Sequence, residues 1–94
     1  MTNMQIIDLI VLATIKKTKA IQIKDLRKEV GKQTDIPNNH NFWQRLMILK
    51  DKGYINETYI VIDKIQKKCY EITDEGSKVI EKNKSCLQLS VMTA

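Results

Sequence analysis

The sequence predicts an α+β fold that is mainly helical: three helices, a two-stranded hairpin and a closing helix. Three observations predict it. Residues 38–52 carry an apolar stripe at helical spacing and run into Gly53. Two runs rich in β-branched and aromatic residues follow, separated by a polar, lysine-bearing tip. The second run then passes through Thr73-Asp74-Glu75-Gly76, which has the composition of a helix start.

The 94 residues suit one domain, 1–94, with no Pro/Gly/Ser linker, repeat or low-complexity tract. The apolar share is 43% and the aromatic share only 5%, so Ile, Leu and Val must build the core. Chains this short often complete their burial by dimerising. Sixteen Lys and Arg against eleven Asp and Glu leave +5, a balance that favours nucleic acid before anionic membrane, although a lysine-rich composition alone also produces it. No segment reaches the ~18 apolar residues of a membrane span. The apolar stretch 4–15 carries Asp8 and lacks a basic leader and a cleavage site. The expectation is a cytoplasmic protein with no membrane contact.

The first helix is expected over 4–17. Ile6, Leu9, Ile10 and Ala13 share a face, and Ile7, Val11 and Leu12 widen it almost all round. Such a helix is buried from more than one side, and a second subunit is the expected extra cover. Ile21-Gln22-Ile23 alternates and reads as a short strand. The second helix follows over 24–31, with Leu26 and Val30 inward and Gly31 as its stop. Asn38 or Asn39 can cap the third helix, whose buried stripe is Phe42, Leu46 and Leu49 at i, i+4 and i+7. The opposite side carries His40, Asn41, Gln44 and Ile48, with Arg45 at its border. Strands are expected over 57–63 and 68–73, around a tip at 64–67 without glycine. Thr73 caps a last helix over 74–91, striped by Val79, Ile80, Leu87 and Val91. This order of helices and hairpin is that of a winged helix-turn-helix.

No other chemistry competes. There is no nucleophile–base pair, no phosphate-cradling glycine loop and no carboxylate pair with a clear role, so an enzyme is not expected. One histidine and two separated cysteines cannot complete a zinc site, and no cofactor is expected. Cys69 and Cys86 read first as buried free thiols and second as a disulfide, within or between subunits.

The run Leu46, Leu49, Gly53, Tyr54, Ile55, Tyr70, Ile72, Thr73, Gly76 resembles the second half of the DNA-binding domain of PadR-like and MarR-like regulators. It is also similar to small winged-helix proteins of archaeal viruses and plasmids, and to the TubR-like centromere binders. The resemblance covers about a third of the chain. It implies a homodimeric, sequence-specific binder of double-stranded DNA, in most cases a transcriptional repressor. Alternatives within the fold are a plasmid or viral partition or replication protein, and a winged helix used for protein contact.

In such proteins the start of the third helix meets base edges. Here it offers Asn39, His40, Asn41, Gln44 and Arg45. Asn and Gln can pair with adenine, and Arg with guanine. Asn residues also simply cap helices, and His40 suits a solvent or phosphate contact better than a metal site. Trp43 is expected to pack beneath the first or last helix, in the core or a dimer contact, with a place against the sugar-phosphate backbone as the alternative. Lys64, Lys67 and Lys68 on the wing (59–72) suit phosphate or minor-groove contact, or a solubilising strand edge. Lys16, Lys17, Lys19 and Lys24, around the start of the second helix, are further candidates for backbone contact. The resemblance places a dimer interface on the helices 1–17 and 74–91, with Ile7, Leu9, Ile10, Leu87 and Val91 taking part. A small-molecule effector is left open.

Overall fold

Six elements make up the computed structural model, which describes residues 6–36 and 38–83. In chain order they are α1 (Ile6–Thr18), α2 (Ile23–Gly31), α3 (Asn39–Asp51), β1 (Ile55–Ile62), β2 (Ile65–Ile72) and α4 (Asp74–Lys82). The four helices and one antiparallel pair match the expected class and order.

α1 is the axis of the core. Leu9, Ile10, Val11, Leu12 and Ile15 are each at most 1% exposed. Three elements of the same chain, α2, α4 and β2, pack around it. This corrects the placement of Leu9 and Ile10 at a subunit interface: both side chains are already enclosed within one chain. Ile7 is only partly buried and packs against the core. Leu87, Val91, Cys86 and the rest of the expected last helix beyond Asn83 lie outside the described residues.

The expected strand at 21–23 reduces to one residue. Ile21 forms an isolated bridge with Tyr70, through hydrogen bonds of 3.1 Å from its N–H and 2.8 Å to its carbonyl. Gln22 already occupies the N-cap of α2, so Ile23 is helical. α2 does end at Gly31, but by a different device from the one expected. Gly31 is not among the residues with positive φ; Lys32 caps the helix in an ordinary right-handed conformation.

α3 starts at a side-chain cap, where Asn38 Oδ1 accepts the Asn41 N–H at 2.9 Å. Phe42, Leu46 and Leu49 form its buried stripe. Gly53, with φ of 79°, ends it in the left-handed region. The Gly53 N–H then reaches the Lys50 carbonyl at 2.9 Å and the Tyr54 N–H reaches that of Leu49 at 3.0 Å. That paired pattern is a Schellman cap, which explains why a glycine stands there.

β1 and β2 pair without a break from Ile55↔Ile72 to Ile62↔Ile65. The expected four-residue tip is therefore only Asp63-Lys64, with φ of 51° and 68°. Two left-handed residues give a turn whose twist matches the strands, here built without glycine. At the base of the hairpin, Thr73 joins both ends. Its hydroxyl donates to the Gly53 carbonyl at 2.6 Å and accepts the Gly76 N–H at 3.0 Å, capping α4. The Thr73 N–H also bonds the Tyr54 carbonyl at 3.1 Å. One residue thus fixes the end of α3, the root of the hairpin and the start of α4. Among the described residues, no helix is long and apolar enough to cross a membrane.

Candidate nucleic-acid interface

With Phe42, Leu46 and Leu49 turned inward, the opposite side of α3 presents His40, Gln44, Ile48 and Asp51, all exposed. Asn41 is exposed on one flank; its backbone N–H is used by the cap. Asn39 opens the helix, and its side chain lies outside the described residues. Trp43 is 45% exposed rather than packed beneath α1 or α4. It sits to the side of the buried stripe, where Phe42 and Leu46 already fill the core. Its ring stacks on that of His40 instead, with centroids 6.5 Å apart and planes 24° apart. Ile48 is 50% exposed.

Arg45 differs from the expectation of an open base reader. Its Nε and Nη2 each donate to Asp8, at 2.7 Å and to separate carboxylate oxygens. Asp8 is only 7% exposed, on the otherwise apolar α1. Donation of these hydrogen bonds to the Asp8 carboxylate raises the Arg45 pKa against the opposing effect of burial, so the guanidinium stays charged. This two-point pair ties α3 to α1 and fixes how the outer face of α3 is aimed. Sequence reading missed the pair. The available signal was a lone carboxylate in an apolar helix, which requires a partner when buried.

The hairpin root is tied to α3 by a second ionic contact. Glu57 lies 3.1 Å from Lys50 Nζ and 3.6 Å from Lys68 Nζ. The hydrogen bond from Lys50, helped by Lys68, holds the Glu57 carboxyl below its ordinary 4.5. Lys68 is thus exposed but engaged, Lys67 is half-buried, and Lys64 stands exposed at the tip. Beyond Thr58 the hairpin is more apolar on its surface than its lysines suggest: Tyr59, Ile60, Val61, Ile62 and Ile65 are all exposed.

No family model matches the sequence, and no curated protein does so either. Solved structures do match. A protein of Thermoplasma acidophilum described as a transcriptional regulator is 25% identical, with a TM-score of 0.72 over 88% of this chain and 81% of that one. A PadR-family transcription regulator from Clostridium difficile is 20% identical, with a TM-score of 0.76 over 90% of each chain. Bacillus subtilis PadR, in complex with operator DNA, is 23% identical, with a TM-score of 0.67 over 85% of this chain and 47% of that one. This chain spans about half the length of that last protein. The fold is that of the PadR-like winged-helix regulators.

In this winged helix, α2 and α3 are the helix-turn-helix and β1–β2 is the wing. Lys16, Lys17, Lys19 and Lys24 are exposed around the start of α2. An open cleft of about 570 Å³ beside α2 is lined by Ile23, Lys24, Arg27, Lys28 and Ile36. The Arg27 guanidinium also stands 5.6 Å over the Phe42 ring. Cys69 is a fully buried free thiol on β2; burial raises its pKa, and Asp25 and Glu71 add to the shift. Its reactivity is correspondingly low.

Proposed function

We propose that this chain is a double-stranded-DNA-binding transcriptional regulator that reads the major groove with α3 and touches the backbone with its wing. One observation carries the reading. The outer face of α3 offers exposed His40, Asn41 and Gln44, on a fold that in Bacillus subtilis PadR is found in complex with operator DNA. These side chains are of the kinds that address base edges and phosphates. Arg45 supports the reading by aiming the helix, because Asp8 occupies two of its nitrogens. Lys64 stands exposed at the tip of the wing, where a phosphate contact is expected, with Lys67 and Lys68 further along β2.

The working form is a homodimer. A two-fold pair of recognition helices would engage half-sites ~34–36 Å apart and select a near-palindromic sequence. Ile7, which is only partly buried, is the α1 residue expected at such an interface that the core does not enclose, with Leu87 and Val91 proposed from the sequence.

The test is binding to random duplex DNA and to DNA from upstream of the protein's own gene, each across a salt series. A specific regulator binds the upstream fragment at least about a hundredfold tighter, a threshold set below the usual ~10³–10⁷ ratio of specific over nonspecific binding. Gln44→Ala then erodes that preference, whereas Lys64→Gln weakens both DNAs alike and flattens the salt slope by about one per wing. Equal, weak binding to both would favour a nonspecific or partition role. No binding at low salt would end the DNA reading and turn the search to a protein partner.

A further inference from the structure

The recognition face of α3 carries an apolar residue that the fold does not use. Ile48 is 50% exposed, whereas the neighbouring Leu46 and Leu49 are at most 1% exposed. The core is therefore closed without it. Ile48 lies one turn after Gln44 and two turns after His40, so the three form one line along the outer side of the helix. Asp51, also exposed, ends that line with a carboxylate, which repels flanking phosphates. Ile is β-branched and stiff at χ1, so presenting it costs little rotamer freedom. In the major groove, the apolar feature that such a side chain can cover is the C5-methyl of thymine.

We infer that Ile48 is a specificity residue that packs on a thymine methyl, next to a base pair read by Gln44. This rests on the DNA-binding reading above and names what the same site selects. Gln44 suits adenine, through its N6 amino group and N7. The two side chains are neighbours on the helix surface, ~5–6 Å apart at Cβ, which is one to two base-pair steps along the groove. The preferred half-site should then hold an adenine and a thymine within two steps of each other, in a fixed order. Exposed apolar surface on α3 would become buried only in the specific complex. Nonspecific DNA, held through phosphates, would leave it wet.

The experiment starts with selection from a randomised duplex pool by the wild-type protein, followed by affinity measurements on the selected site. Each thymine of that site is replaced in turn by uracil, which lacks only the methyl. One replacement should weaken wild-type binding about fourfold, the worth of one buried methyl group. Ile48→Ala should bind the site less tightly and be indifferent to that same replacement. Because Ile48 is half exposed, the variant should keep the wild-type melting temperature, so lost binding is not lost fold. Wild-type protein that binds its site tightly but tolerates uracil at every position overturns the inference and leaves the DNA-binding reading intact. The same holds if Ile48→Ala keeps the full uracil penalty. A pool that enriches no sequence overturns the specific-binding reading itself, and the inference with it.

Discussion

At Gly76 a side chain has no space. A Cβ built there would lie 2.2 Å from the Tyr54 carbonyl oxygen and 2.9 Å from Ile72 Cδ1. The oxygen is backbone and already accepts the Thr73 N–H, so it cannot swing aside without breaking the joint between α3, the hairpin and α4. Thr73 and Gly76 thus act together: the hydroxyl pulls the first turn of α4 against the root of the wing, and the missing Cβ lets it arrive. The spacing Thr-x-x-Gly was legible in the sequence as a cap, because capping is local. The close approach to Tyr54 was not, because it depends on where the Gly53 turn delivers the chain. Gly76→Ala should destabilise the protein by ~2–3 kcal/mol, in the upper range for overpacking a tight contact, read as a lower urea midpoint. An unchanged midpoint would mean that α4 can shift outward freely and that the joint is not rigid.

The wing is the element whose sequence and geometry agree least. Its two turn residues both sit in the left-handed region, where Asp is tolerated and Lys is strained. Reading β-branched content alone ran the first strand one residue into the turn and started the second three residues late, since nothing in Asp63-Lys64 announces a two-residue turn. Lysine at the second position makes sense if its charge is wanted at the hairpin's end more than its backbone comfort. That gives one substitution two opposite effects. Lys64→Gly relieves the left-handed strain and should raise stability by ~0.5 kcal/mol, or about 2–4 °C in melting temperature. The same change should lower affinity for any duplex and reduce the salt slope by about one per wing. A melt and a salt titration on one protein sample decide both halves. A fall in melting temperature would show that Lys64 stabilises the turn through contacts of its own. An unaltered salt slope would place the wing tip away from DNA.

Across the whole molecule, the sequence was most informative where contacts are local and least where they cross the fold. The stripe of Phe42, Leu46 and Leu49, the Gly53 stop and the Asn38 cap follow from spacing within one helix. The Asp8–Arg45 pair joins α1 to α3 across the chain, and spacing within an element carries no trace of it. α1 shows the same limit in another form. Its pattern says that it is covered on several sides, but not by what, and covering by a partner chain reads the same as covering by α2, α4 and β2. The structure supplies the second answer for Leu9 and Ile10. The two answers separate in solution. Leu9→Ala should cost ~2–5 kcal/mol of folding stability, the range for emptying a closed core site. It should leave the concentration dependence of the proposed dimer unchanged in sedimentation of the folded protein. Leu87→Lys, on the segment assigned to the partner interface by resemblance, should do the reverse: it should shift the protein toward monomer while the helical signal stays near that of the wild type. If Leu9→Ala dissociates the dimer at a temperature where it remains folded, α1 contributes to assembly through its core side as well. α3 would then be coupled to dimerisation through the contact of Arg45 with Asp8, the residue next to Leu9 on α1.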